Sequence, residues 1–86
     1  MQFSAYISGS TATITRQEIN NVTAIRLNDA DNLGSQLLAF ISPSADPVDT
    51  PAYRIDATDA GLRISTGTGR FDLPWRWVQT IGNALS

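Results

Sequence analysis

The chain has 86 residues, 42% of them hydrophobic and 16% charged, with a formal net charge of −2 at pH 7. That is enough apolar material for one domain over residues 1–86, and too little charge for a disordered chain. Cysteine, histidine and lysine are absent and all six cations are arginines, which excludes disulfides, thiol chemistry, His or Cys metal ligation, Schiff bases and a phosphate-loop lysine.

Phe3 to Ser8 alternates, with Phe3, Ala5 and Ile7 on one face, and predicts a half-buried strand. Gly9 and Ser10 suit a two-residue hairpin turn, and Thr11 to Arg16 returns with Ala12 and Ile14 on the apolar face. Ile19 then reads as the last inward residue before a turn in Gln17 to Asn21. Val22 to Asn28 is a third strand with Thr23, Ile25 and Leu27 on one face. Its other face is partly apolar, which suggests a central strand covered by a helix.

Asp29 or Asp31 is placed to cap a helix that carries Leu33, Leu37, Phe40 and Ile41 at helical spacing. Gly34 weakens that helix by about 1 kcal/mol relative to alanine. Pro43 ends it, and a strand over Ser35 to Ser42 is the rival reading. Residues 42–52 form an internal loop rich in Pro and Asp.

Tyr53, Ile55 and Ala57 alternate, then Leu62, Ile64 and Thr66. Thr58 to Gly61 between them fits a turn with Gly61 left-handed and Asp59 bonding the turn backbone. Thr66 to Gly69 makes the next turn, and Phe71 and Leu73 point inward from a short strand. Asp72 is a possible cap and Pro74 suits a first helical turn. A helix from Pro74 to Leu85 puts Trp77, Val78, Ile81 and Leu85 on one stripe, leaves Trp75 off it, and meets an obstacle at Gly82. The competing strand puts Phe71, Leu73, Trp75 and Trp77 on one face. The expected fold is a small α+β domain, with a five- or six-stranded, mainly antiparallel sheet packed against one or two helices.

Chemistry is sparse. The eight carboxylates are Glu18, Asp29, Asp31, Asp46, Asp49, Asp56, Asp59 and Asp72, and cap or turn roles explain their local groupings better than a catalytic pair. The stretch Asp29 to Gly34 fails the calcium-loop pattern at Leu33 and Phe40. Gly67 to Arg70 has neither the spacing nor the strand–helix context of a dinucleotide loop. Serine has no base to activate it. No enzyme activity, metal or cofactor is expected.

No stretch approaches the roughly 18 apolar residues of a membrane span, and Met1 to Ser10 does not read as a secretory leader. The expected setting is cytoplasmic, or within a virion for a small viral protein. Asn21 to Thr23 matches a glycosylation acceptor but reads as accidental without a leader.

The leading expectation is a nonenzymatic protein-binding module, a small inhibitor, adaptor or assembly component, whose surface carries Trp75, Arg76, Arg70 and Tyr53. One alternative is a single-stranded nucleic-acid-binding domain using Tyr6, Tyr53, Trp75 or Phe71 to stack bases, against which the acidic balance counts. The other is a self-assembling structural subunit pairing through a short edge strand, as a homo-oligomer.

Overall fold

The structure, a computed structural model, describes residues 1–42 and 45–86. The alternating N-terminal segments form β1 (Gln2–Ser8), β2 (Thr11–Glu18) and β3 (Asn21–Leu27), an antiparallel sheet in the order β1-β2-β3. Gly9 turns the first hairpin at φ +60, with Ser10 outside the positive-φ region, as a type II′ turn requires. The next hairpin turns at Ile19 and Asn20, because Glu18 pairs with Asn21. Ile19 is therefore 97% exposed and not an inward residue, a correction to the sequence reading. β3 is an edge strand and not a central one; its Val22–Ala24–Arg26 face is exposed.

α1 (Leu33–Ala39) confirms the helix over the rival strand and buries Leu33, Gly34 and Leu37. Phe40 is buried beyond it, but Ile41 is exposed. Neither aspartate caps α1. Asn32 holds the cap position without a side-chain bond, and Asp29 turns the chain at φ +52. Ala30 N–H then donates to Ser10 C=O at 2.8 Å, tying the helix entry to the first hairpin. The expected stop at Pro43 lies outside the described residues.

The second half forms β4 (Val48–Asp49), β5 (Arg54–Ala57), β6 (Gly61–Ser65) and β7 (Arg70–Pro74), a separate antiparallel meander in chain order, followed by α2 (Trp75–Ala84). Among the described residues there are thus seven strands in two sheets, where the sequence suggested five or six in one. β4 lies inside the stretch expected to be only loop.

The three hairpins of this meander share a device eight residues apart. Thr50, Thr58 and Thr66 each donate their backbone N–H and their hydroxyl to the carbonyl three residues on, at Tyr53, Gly61 and Gly69. Each hydroxyl also accepts an N–H from inside its loop. Thr58, not Asp59, therefore organises its turn. Gly61 is not in the left-handed helical region either; its φ is +157, and a Cβ there would lie 2.1 Å from the Leu73 carbonyl oxygen.

Asp72 does not cap α2, because β7 runs on through Pro74 and Asp72 stays paired in register with Arg63. Pro74 takes the cap position in an extended conformation, and Gly82 does not end the helix. α2 presents Trp77, Val78, Ile81 and Leu85 to the interior as its periodicity predicted. It packs on α1, β1, β6 and β7, and both sheets and both helices contribute to one continuous apolar cluster. The two sheets approach each other along β3 and β7.

Arg16 points inward at one margin of this cluster. Its guanidinium carbon lies 5.7 Å from the centre of the Phe71 ring, and Phe71 meets Phe3 edge to face. Its Nε is 3.0 Å from Glu18 Oε1, but that N–H is not well directed at the carboxylate and makes no hydrogen bond among the described residues.

Candidate functional site

Trp75 opens α2 directly after the extended Pro74, so the helix start swings its indole back over the Thr58–Gly61 turn. Its Nε1 donates to the Thr58 carbonyl at 3.0 Å. The ring is fixed and remains 39% exposed. Arg76 beside it is exposed and makes no ion pair or hydrogen bond among the described residues. A shallow hollow of about 150 Å³ lies next to this turn, with Ala60, Leu62 and Pro74 among its lining and the Arg63–Asp72 pair (3.5 Å) at its side. Trp77 differs: it is half-buried against Phe3, with ring centres 5.4 Å apart, and its indole N–H has no partner among the described residues.

Two of the four residues singled out from the sequence do not join this surface. Arg70 starts β7 and Trp75 follows its end, so at about 3.4 Å per residue they stand roughly 17 Å apart. Tyr53 is 3% exposed, with its hydroxyl donating to Gln36 Oε1 of α1. Burial raises the Tyr53 pKa, and the Asp29 and Asp31 carboxylates add to the rise. The Gln36 amide, which can turn an N–H toward a phenolate, works the other way. Tyr53 is a core residue carrying a buried polar tip. Phe71 is buried too, so of the four aromatics considered for base stacking only Tyr6 and Trp75 reach the surface.

A second surface lies on the sheet face that the sequence shows to be rich in Thr, Ser and Arg. The outer face of the first sheet sets Tyr6, Thr13 and Arg26 side by side in register. The Thr66–Gly69 hairpin of the other sheet stands against its β3 edge. Between them lie two adjoining hollows, of about 550 and 310 Å³. Arg26 and Thr68 line both; Arg70 lines the smaller, and Tyr6 and Thr13 the larger. Neither hollow has a carboxylate in its lining. The available signal was the position of Arg26 between the inward Ile25 and Leu27, which places it on the polar face.

The arginines fall into two groups. Arg16, Arg54 and Arg63 have carboxylate partners, Arg54 being held by Asp49 at 3.2 Å and Asp56 at 3.0 Å. Arg26, Arg70 and Arg76 have none among the described residues. Also among the described residues, no group of three or more His, Cys, Asp or Glu is placed to hold a metal, and no helix is long and apolar enough to cross a membrane.

Comparisons with protein-family models, curated proteins and solved structures give no match for this chain.

Proposed function

We propose that the chain is a nonenzymatic protein-binding module, working as an inhibitor, adaptor or assembly component through the Trp75–Arg76 end of α2. The observation that carries this is the Trp75 indole, anchored by its own N–H to Thr58 while part of its ring stays in water. An aromatic held in one orientation loses little entropy when a partner covers it, and Trp and Arg are the commonest anchors of protein interfaces. Arg76, the next residue of α2, has a guanidinium with no partner among the described residues, and the neighbouring hollow offers apolar atoms of Ala60, Leu62 and Pro74. The matching partner surface pairs an apolar side chain with a carboxylate.

The test is capture from the source lysate by wild type, Trp75→Ala and Arg76→Gln, with and without nuclease, after circular dichroism has confirmed that the variants fold. The reading expects a protein retained after nuclease and lost with Trp75→Ala. Light scattering of the purified chain shows whether that protein is a second copy. Capture that a folded Trp75→Ala leaves unchanged, or of nucleic acid alone, refutes it.

A further inference from the structure

The paired hollows at the seam of the two sheets are built for a different ligand. Arg26 and Arg70 face one hollow in a protein of net charge −2, with no carboxylate in its lining. Each guanidinium offers five N–H donors in a planar fork, and neither has a protein acceptor among the described residues. Two uncompensated arginines match the charge of roughly −1.5 to −2 on a phosphate monoester better than the single charge of a carboxylate.

The adjoining larger hollow carries hydroxyls and an amide: Ser8, Thr11, Thr13 and Asn28. Thr13 lines this hollow, and its side-chain hydroxyl makes no hydrogen bond among the described residues. That hydroxyl opens to the hollow, where a ligand hydroxyl can pair with it. Tyr6, 58% exposed, presents its ring at the same place. At about 550 and 310 Å³ the hollows are of small-ligand size.

We infer that this seam binds a phosphorylated sugar, with Arg26 and Arg70 holding the phosphate and Thr13 and its neighbours the sugar hydroxyls. The site lies at the opposite end of β7 from Trp75 and does not depend on the protein-binding reading.

The test is a two-dimensional NMR titration of the whole chain with ribose 5-phosphate, ribose, adenosine 5′-monophosphate and inorganic phosphate. Shifts are expected at Arg26, Thr68 and Arg70 with the phosphorylated compounds, and binding at least about tenfold weaker for ribose. A hydrogen bond to a charged group is worth about 1.5–3 kcal/mol, so Arg26→Gln or Arg70→Gln should weaken ribose 5-phosphate by roughly tenfold or more. Arg54→Gln, whose guanidinium is already paired, should not. Thr13→Val should weaken ribose 5-phosphate but not inorganic phosphate. Tighter binding of the nucleotide than of ribose 5-phosphate identifies Tyr6 as a platform for the base and supports the site. No shifts at millimolar ligand, equal binding of ribose, or an equal loss in Arg54→Gln overturns it. So does binding of a single-stranded oligonucleotide with none of the small phosphates, which would make the seam a nucleic-acid surface.

Discussion

Replacing Gly34 with alanine tests the way the two helices meet. In an isolated helix this change stabilises by about 1 kcal/mol, because glycine has the larger backbone entropy to lose. Here the added Cβ would lie 2.7 Å from the Leu85 carbonyl carbon, 2.8 Å from the Gly82 carbonyl oxygen and 2.8 Å from the Ser86 nitrogen. All three are backbone atoms, so no rotamer change relieves them. Restoring contacts of about 3.5 Å needs the helices to part by roughly 0.8 Å, which loosens the layer containing Leu33, Leu37, Val78 and Ile81. Overpacking of this kind costs about 1–3 kcal/mol, occasionally more, and the upper part of that range outweighs the propensity gain. The expected net loss is about 2 kcal/mol, or a fall in Tm of roughly 8–16 °C for a domain of this size. Gly82→Ala is the internal control. Its Cβ would meet the Leu38 side chain at 2.8 Å and the Gly34 carbonyl at 3.3 Å, and Leu38 is half-buried and free to move. That variant should stay within about 1 kcal/mol of wild type. Thermal and urea unfolding of both variants measures the difference. A Gly34→Ala protein as stable as wild type, or more so, refutes the close glycine crossing.

Two further outcomes follow from hydrogen-bonded side chains of the second sheet. Thr58→Val removes a hydroxyl that accepts from Gly61 N–H at 3.2 Å and donates to Gly61 C=O at 2.9 Å, and should cost about 1–2 kcal/mol in urea unfolding. Thr66→Val breaks longer, exposed contacts of 3.3–3.4 Å and should cost about 0.5 kcal/mol or less, so equal losses would remove the distinction drawn between the turns. For Tyr53 the pKa is higher in the fold, chiefly from burial, so the neutral phenol is the form the fold favours. Its contribution is complete below the ordinary value of about 10 and disappears as pH rises through the higher folded value. Stability measured from pH 7 to 11.5 should therefore fall more steeply above pH 10 in wild type than in Tyr53→Phe, and superimposable slopes would contradict this.

Period-2 and period-3.6 patterns carried most of the secondary structure: the first hairpin, α1 against its strand rival, and α2 with its inward stripe. Some features were at odds with the local pattern itself, and others depend on what a segment meets in space, which local pattern does not encode. Ile19 is apolar, but it is out of phase with the inward Ala12 and Ile14 and falls in the two-residue turn between Glu18 and Asn21. Gly34 weakens α1 by propensity, but the crossing that needs it joins segments 48 positions apart, where a Cβ would meet backbone of Gly82, Leu85 and Ser86. Tyr53 enters the candidate surface on residue type alone, while its alternation with Ile55 places it on the inward face. The seam of Arg26 and Arg70 depends on how two sheets approach, which no local period encodes.

The placing of charge separates the two proposed surfaces physically. On the second sheet Arg54 sits between Asp49 and Asp56, and Arg63 faces Asp72. Exposed pairs like these add little stability. Their effect is to cancel charge across the outer face of that sheet, so among the described residues the unpaired arginines stand at Arg76 and at the Arg26–Arg70 seam. Roughly 17 Å of β7 separates Arg70 from the Trp75 end, about twice the Debye length of about 8 Å at physiological salt. Ligand charge at one surface is therefore largely screened from the other. Any coupling between them has to be mechanical, and β7 is the direct route: Arg70 and Pro74 end the same strand, and Phe71 and Leu73 lie buried between them. A strand locked at both inward positions transmits little displacement, so occupancy of the seam should leave the Trp75 surface unchanged.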